Sequence, residues 1–383
     1  MKLSNIAEGV KPSIALVIGS QAKSLKAQGK NVMDFSLGEP DFHTPDHVKN
    51  AAFKAIKYNF TCYTPASGIN ELKKAIAEKF TKENNLNYTD KQIVVSNGAK
   101  HSLMNVFLTL LNKGDEIIIP APFWTSYPEM VKIAYGKPVF CKTDESFCLK
   151  SEFVKEKITK KTKAILLNSP SNPTGAVIPK SELEKIVKLC RENNIFIISD
   201  EVYEHFCYST DHISPASLGK WSYENTITIN SVSKSYSMTG WRIGYAAGPE
   251  NIISKMSALQ SQMTSCPNSI SQKAAVIALS GSQNDLKKMQ VEFKKRRDYI
   301  VKRLNSVKGI NCKLPDGAFY VFPKINLGVS SEEFCLRLLQ EEFVATIPGC
   351  AFGLEGYFRL SYATSMDVIK EGCDRIEKFC ENI

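Results

Sequence analysis

The sequence predicts an α/β protein in two parts: a large unit on a mostly parallel sheet, then a smaller α+β domain. Three observations predict it. From about Lys91 onward, short apolar runs alternate with helical patterns, as in a parallel sheet whose strands are joined by helices covering both faces. After an amphipathic stretch at 284–305, the pattern changes to β-rich pieces separated by helices at 331–341 and 366–381. At 383 residues the chain is too long for one small core.

In chain order, the first element is a helix candidate from about Ile14 to Gln28. The turn signal GEPDF follows it (38–42), and both are expected to pack with the C-terminal domain. Seven strand candidates come next: QIVVS (92–96), DEIIIP (115–120), KPVFC (137–141), KAILLN (163–168), IFIIS (195–199), TITIN (226–230) and RIGYAAG (242–248). Helical patterns lie between many of them, at 100–112, 126–135 and 181–194, with a long helix expected from Asn251 to about Leu279. The division expected is an N-terminal arm with part of the small domain at 1–45, a large domain at 46–285 and a small domain at 286–383. There is no internal repeat and no low-complexity segment.

Composition narrows the function classes. An apolar fraction of 43% and a charged fraction of 23% are those of a soluble globular protein. No apolar run is long enough to span a bilayer. The N-terminus MKLSNIAEGVKPS lacks a secretory layout, so a cytoplasmic location is expected. Eleven cysteines, with no CxxC pair, fit a reducing compartment and argue against a disulfide framework or a zinc site. The net charge of +10 raises the question of nucleic acid, but the lysines are scattered through amphipathic stretches such as 155–163 and 287–303. They read as solvated helix faces. The five histidines are dispersed, without metal-ligand spacing.

In open α/β sheets ligands bind beyond the carboxyl ends of the strands, so the residues after each apolar run matter most. QIVVS is followed by Asn97-Gly98-Ala99-Lys100, which opens a helix. A glycine admits close backbone approach and free N–H groups bind an anion, although an ordinary strand-to-helix turn would look similar. KAILLN runs into NSPSNPTG, whose prolines and glycine fix the backbone around Asn172. IFIIS ends in Asp200-Glu201-Val202-Tyr203. TITIN runs into Ser231-Val232-Ser233-Lys234 and on to Arg242.

Taken singly, Asp200 could be a cap, Tyr203 a half-buried ring, Lys234 a surface lysine and Arg242 a strand-edge ion pair. Together they fit pyridoxal-phosphate chemistry. That cofactor needs an anion at its ring nitrogen (Asp200) and donors at its ring hydroxyl (Tyr203, Asn172). It also needs a lysine reactive near neutral pH (Lys234), with Arg242 as the nearby positive charge that lowers its pKa. The phosphate would take Ser231, Ser233 or both, with Arg242 and the Gly98-Ala99 backbone.

The chain resembles the class I, fold type I, pyridoxal-phosphate-dependent aminotransferases from end to end. It looks most like the bacterial aspartate aminotransferase branch with prephenate- and aromatic-acting relatives. The matching motifs are KPS (11–13), LGEPDF (37–42), YTPASGINELKKAIAEKF (63–80), SNGAKHSL (96–103), APFWTSYPEM (121–130), NSPSNPTGAV (168–177), SDEVYEHF (199–206), SVSKSYSMTGWRIGYAAGP (231–249), PDGAFYVF (315–322) and FRLSYATS (358–365).

The resemblance implies further roles. Trp124 would stack on the cofactor ring, and Tyr63 would reach the phosphate of a neighbouring subunit's cofactor, which implies a homodimer with shared sites. Arg359 would clamp the substrate α-carboxylate, Gly38 would leave room for it, and Lys100 would meet the second carboxylate of a dicarboxylic substrate. The implied reaction passes the amino group of L-aspartate to 2-oxoglutarate, with Lys234 moving the proton. Two departures stand out: Ser231 occupies a position where the branch often carries glycine, and no distal arginine is identifiable.

Other readings stay open. They are a broad or aromatic/prephenate aminotransferase, a C–S lyase of the same fold, and a ligand-sensing regulator, which would want an N-terminal DNA-binding module.

Overall fold

The computed structural model describes residues 3–9 and 14–383; the KPS motif at 11–13 lies outside them. The seven strand candidates form one sheet: β1 (Ile93–Ser96), β2 (Glu116–Ala121), β3 (Lys137–Lys142), β4 (Thr162–Asn168), β5 (Phe196–Asp200), β6 (Thr226–Ser231) and β7 (Gly244–Ala247). Their order is β1-β7-β6-β5-β4-β2-β3. β7 runs antiparallel to both its neighbours, and the other pairs are parallel.

The apolar runs are nearly continuous because both sheet faces are covered. Successive residues go to opposite sides. Ile117, Ile119, Leu166 and Ile198 join a core with the helices Ala99–Leu110, Ser126–Ile133 and Glu250–Met263, while Ile118, Ile165, Leu167 and Ile197 join another with the helix Lys180–Asn193. In that last helix Leu183, Ile186, Val187 and Cys190 make the buried stripe, and Asn194 ends it in the left-handed conformation at φ 55°. Each wholly buried isoleucine contributes about 1.5–3 kcal/mol.

One expected helix is two. Instead of a continuous run from Asn251 to Leu279, the chain forms Glu250–Met263 and Ser269–Ser280. Pro267 supplies no N–H and would clash inside a helix, Ser265 adopts φ 62°, and the Asn268 side chain caps the second helix by accepting from Ser271 N–H at 2.8 Å.

The C-terminal part starts with the helix Asn284–Leu304 and holds a three-stranded antiparallel sheet, Tyr320–Val321, Phe358–Ser361 and Ile347–Pro348, with the middle segment central. Helices Ser331–Glu341 and Met366–Glu381 begin at Ser330 and Ser365, whose side chains accept from backbone N–H groups three residues on. The N-terminal segment returns to this part. Met33–Asp34 pairs in parallel with Val344–Ala345, and Ile18, Ala22 and Val32 share a core with Phe322, Leu339 and Phe352. A larger core joins Phe293 and Phe319 to Val202, Tyr203 and Phe206, just past β5.

Among the described residues no helix is long and apolar enough to cross a membrane. All eleven cysteines are free thiols.

Candidate active site

Sheet register brings the strand-end residues to one level. Asn168 lies opposite Asp200 in the β4–β5 ladder, and Gly244 of β7 lies between Ser96 and Ser231. A side chain at Gly244 would meet Ala99 N at 2.1 Å, so only glycine lets the helix at Ala99 sit this close to the sheet. Above these ends lies a cavity of about 400 Å³ between the sheet, the 36–38 segment, Tyr320 and Arg359.

Twelve of the residues expected at the site line this cavity: Gly38, Ala99, Lys100, Trp124, Asn172, Asp200, Tyr203, Ser231, Ser233, Lys234, Arg242 and Arg359. Gly98 stands just behind, with φ +85°; a Cβ there would come within 2.3 Å of Arg242 Nη2. Tyr63 is not part of the cavity wall: its side chain points into solvent and it is 91% exposed.

Lys234 Nζ donates to Gly38 O at 2.7 Å. Burial pulls its pKa down to about 8; Glu39 opposes this, and the guanidinium groups of Arg242 and Arg359 reinforce it. Asp200 is buried at the end of β5. Burial pushes its pKa up to about 6, against the hydrogen bonds from Tyr127 Oη (2.6 Å to Oδ2) and Val202 N (3.4 Å to Oδ1). Arg242, itself at φ 56°, donates to Thr239 O at 2.7 Å.

Arg359 donates through Nη1 to Asn172 Oδ1 at 3.0 Å and through Nη2 to Ser36 O at 2.6 Å, while its Nε is buried without a partner. Among the described residues no carboxylate lies in ion-pair distance of Arg242 or Arg359. Lys100 Nζ lies 4.8 Å from the Trp124 ring centroid, and burial followed by the Arg242 charge lowers its pKa.

Four contributors escaped the sequence reading. Tyr127 bonds Asp200. Tyr320 shares a 2.8 Å hydrogen bond with the Tyr203 hydroxyl while its ring lies 4.7 Å from Arg359 Cζ. Asn168 accepts from Asn172 N at 2.9 Å and donates to Asp200 O at 3.0 Å. Ser36 supplies the carbonyl that holds Arg359. Tyr127, Asn168 and Tyr320 lie inside the motifs APFWTSYPEM, NSPSNPTGAV and PDGAFYVF, but nothing in their spacing marks a partner.

Two of the five histidines, His205 and His212, meet carboxylates in space. Ligand atoms of Glu201, Glu204 and His212 lie within 4.8 Å of one another, as do those of Glu83, Glu204 and His205. Lys79 is seated on Glu204, so the chain itself supplies a cation there. Burial would raise the Glu204 pKa, but Lys79 and its polar neighbours hold it well below the usual carboxylate range.

The chemistry of these groups tests the fit of a cofactor. A buried carboxyl with no cation in ion-pair distance among the described residues, sharing its cavity with a buried amine of lowered pKa, suits a ring that brings a protonated nitrogen and an aldehyde. A glycine-led helix N-terminus beside Arg242 and two serine hydroxyls suits that ring's phosphate.

Fold and site together define a pyridoxal-phosphate-dependent transferase of fold type I. Residues 30–376 match the family model described as aminotransferase class I and II, and the chain belongs to that family. It is 45% identical over 390 residues to an aspartate aminotransferase of Bacillus subtilis (strain 168), covering 100% of this chain and 99% of the relative. It is 46% identical over 396 residues to an aspartate/prephenate aminotransferase of Cereibacter sphaeroides, covering 100% and 99%. Of solved structures, the aspartate aminotransferase from Rhizobium meliloti superposes with a TM-score of 0.96 at 43% identity, covering 100% and 99%. The Thermus thermophilus enzyme with maleate gives 0.96 at 39%, covering 99% of each chain.

Proposed function

We propose that the protein is an aspartate aminotransferase, passing the amino group of L-aspartate to 2-oxoglutarate to give oxaloacetate and L-glutamate. The observation that carries this is Arg359, a buried guanidinium with an unpartnered Nε at the wall of a cavity that also holds Lys100 and Lys234. Such a group calls for a carboxylate in a two-pronged, charge-assisted contact. Lys100 offers a second positive charge, suited to a dicarboxylic substrate. That a similar enzyme was solved with maleate, a dicarboxylate, supports the same reading.

Pyridoxal phosphate, when bound, supplies an aldehyde for the substrate amine and a ring that takes up the electron pair left as the α-proton departs. The chain's residues do the rest. Lys234 would hold the cofactor through its amine and, as a free base, would carry the substrate's α-proton. Asp200 would pair with the ring nitrogen and keep it protonated. Tyr203 and Asn172 would donate to the ring hydroxyl, and Trp124 would stack on the ring. Gly98, Ala99, Ser231, Ser233 and Arg242 would take the phosphate. Gly38 leaves space for the α-carboxylate that Arg359 binds.

Tyr63 completes the phosphate site of a second copy of the chain. Its exposure supports this, as do the exposed Phe53, Ile56, Tyr58 and Met263, apolar surface that a homodimer would cover. The division at 1–45, 46–285 and 286–383 would let the small domain carry Arg359 toward the sheet. Eleven unpaired thiols fit a cytoplasmic location.

A broader specificity is the second reading. Leu37, Leu103 and Trp124 give the cavity that holds Lys100 an apolar wall, the kind of surface against which an aromatic side chain packs.

Both readings meet one experiment: single-turnover absorbance of the cofactor-loaded protein with aspartate, glutamate, phenylalanine and cystathionine. Conversion to the aminated cofactor with the two dicarboxylates alone supports the first reading. Equal conversion with phenylalanine supports the second, and pyruvate from cystathionine overturns both in favour of a lyase.

A further inference from the structure

The exposed Tyr63 is followed by a segment held unusually firmly from within. Two wholly buried glutamines, one from each helix flanking the Pro267 break, hold residues 64–69. Gln272 donates through Nε2 to Thr64 Oγ1 and Pro267 O, both at 2.9 Å, and accepts from Ile69 N–H at 2.8 Å. Gln260 donates through Nε2 to Ala66 O at 2.6 Å and Val95 O at 2.7 Å, and accepts from Asn105 Nδ2 at 3.0 Å.

Both amides use both donors and the acceptor. The backbone carbonyls and the Ile69 N–H allow only one orientation of each. The segment is also laid along edge strand β1, with Val95 N–H donating to Ser67 O at 3.0 Å and Gly68 at φ +97°.

Burying two amides costs several kcal/mol unless every hydrogen bond is made, and leucines would fill the space without that cost. What the polar pair adds is a fixed path for the backbone leading to Tyr63. Gln260 also ties that path to β1 and, through Asn105, to the helix Ala99–Leu110 that opens the chain's own phosphate site.

We infer that Gln260 and Gln272 are positioning residues that set Tyr63 for the second copy's cofactor, so their effect on cofactor binding is exerted across the dimer. This rests on the shared-site reading of Tyr63. Burial and hydrogen bonding belong to one subunit, while the benefit falls in the other.

The test is cofactor retention in hybrid dimers. Gln272→Met keeps the shape of the side chain and removes its hydrogen bonds; Thr64→Val, which deletes one acceptor, is the milder variant if Gln272→Met folds poorly. In the homodimer, either variant is expected to weaken cofactor binding, by about tenfold for Gln272→Met, the scale of one lost charge-assisted bond. Each is then paired with Lys234→Ala subunits, so that the absorbance of lysine-bound cofactor reports only the site in the variant subunit. That site receives Tyr63 from a subunit with an intact clamp, and its affinity should return to the wild-type value. Affinity that stays weak in the hybrid, or an unweakened homodimer, overturns the inference. A Tyr63→Phe hybrid run alongside separates the premises: if it too fails to recover, the shared-site reading falls, whereas failure of the glutamine hybrid alone removes only the clamp.

Discussion

Tyr127 donates to Asp200 from 2.6 Å, linking the helix Ser126–Ile133 to the end of β5. It is one of two hydrogen bonds that hold the carboxyl of Asp200 down against the upward push of burial. Tyr127→Phe should therefore raise the Asp200 pKa further and weaken its proposed hold on the ring nitrogen. The expected loss is about tenfold in kcat, from a bond worth about 1–2 kcal/mol. A pH titration of the cofactor absorbance in both proteins checks it; identical profiles would remove Tyr127 from this role.

Asp200→Asn should change activity and stability in opposite directions. In the cofactor-free protein the carboxyl titrates at about 6, above its ordinary value of 3.8. The native state thus binds the proton more tightly than the unfolded chain, and stability falls as pH rises from about 4 to about 6. The substitution should recover about 2–3 kcal/mol at pH 7 in the cofactor-free protein. In the loaded enzyme it should cost about 10²–10³-fold in kcat. Denaturant melts at pH 4 and 7 and steady-state rates read the two effects separately.

The amine of Lys234 titrates at about 8, below its ordinary 10.5. Recombination of the cofactor-free protein with pyridoxal phosphate should accelerate as pH rises through 8 and then level off, because only the neutral amine attacks. A rate still climbing near pH 10 would mean an unperturbed lysine. Lys234→Ala should lose the lysine-bound absorption band and at least about 10²–10⁴-fold in turnover.

Arg359→Lys keeps the charge but not the planar fork. It should cost kcat/KM for aspartate about 2–4 kcal/mol, and weaken maleate inhibition in parallel. Lys100→Ala should instead separate substrates, with aspartate and 2-oxoglutarate losing about tenfold more than phenylalanine. Equal losses for all three would count against a distal role for Lys100.

Glu204→Gln tests the buried network behind the site. Lys79 would be left buried with its main counter-charge gone, since Glu83 is 3.6 Å away and more exposed. A loss of about 3–5 kcal/mol in unfolding free energy is expected, measured by chemical denaturation. A change below 1 kcal/mol would mean that the pair contributes little.

The central sheet was legible because buried parallel strands read as apolar runs, and the positions just past those runs pick out Asp200, Lys234 and Asn172, which the fold brings to one cavity. Partnerships across the chain left no such mark. Lys79 and Glu204 are 125 positions apart and Tyr203 and Tyr320 are 117 apart, and nothing local in sequence pairs them. The helix break at Pro267 was visible as a proline, yet the apolar pattern on either side read as continuous. Tyr63 differs again: its proposed function depends on a second molecule, so neither the sequence pattern nor one chain's geometry brings it to the cavity.

The grip of Arg359 on Ser36 O spans 323 residues. During synthesis, strands β1 to β7 can be complete once residue 247 has emerged, but the pocket proposed for the substrate carboxylate stays open until residue 359 joins the amino-terminal segment. A nascent chain thus acquires the parts proposed to hold its cofactor well before the part proposed to grip its substrate.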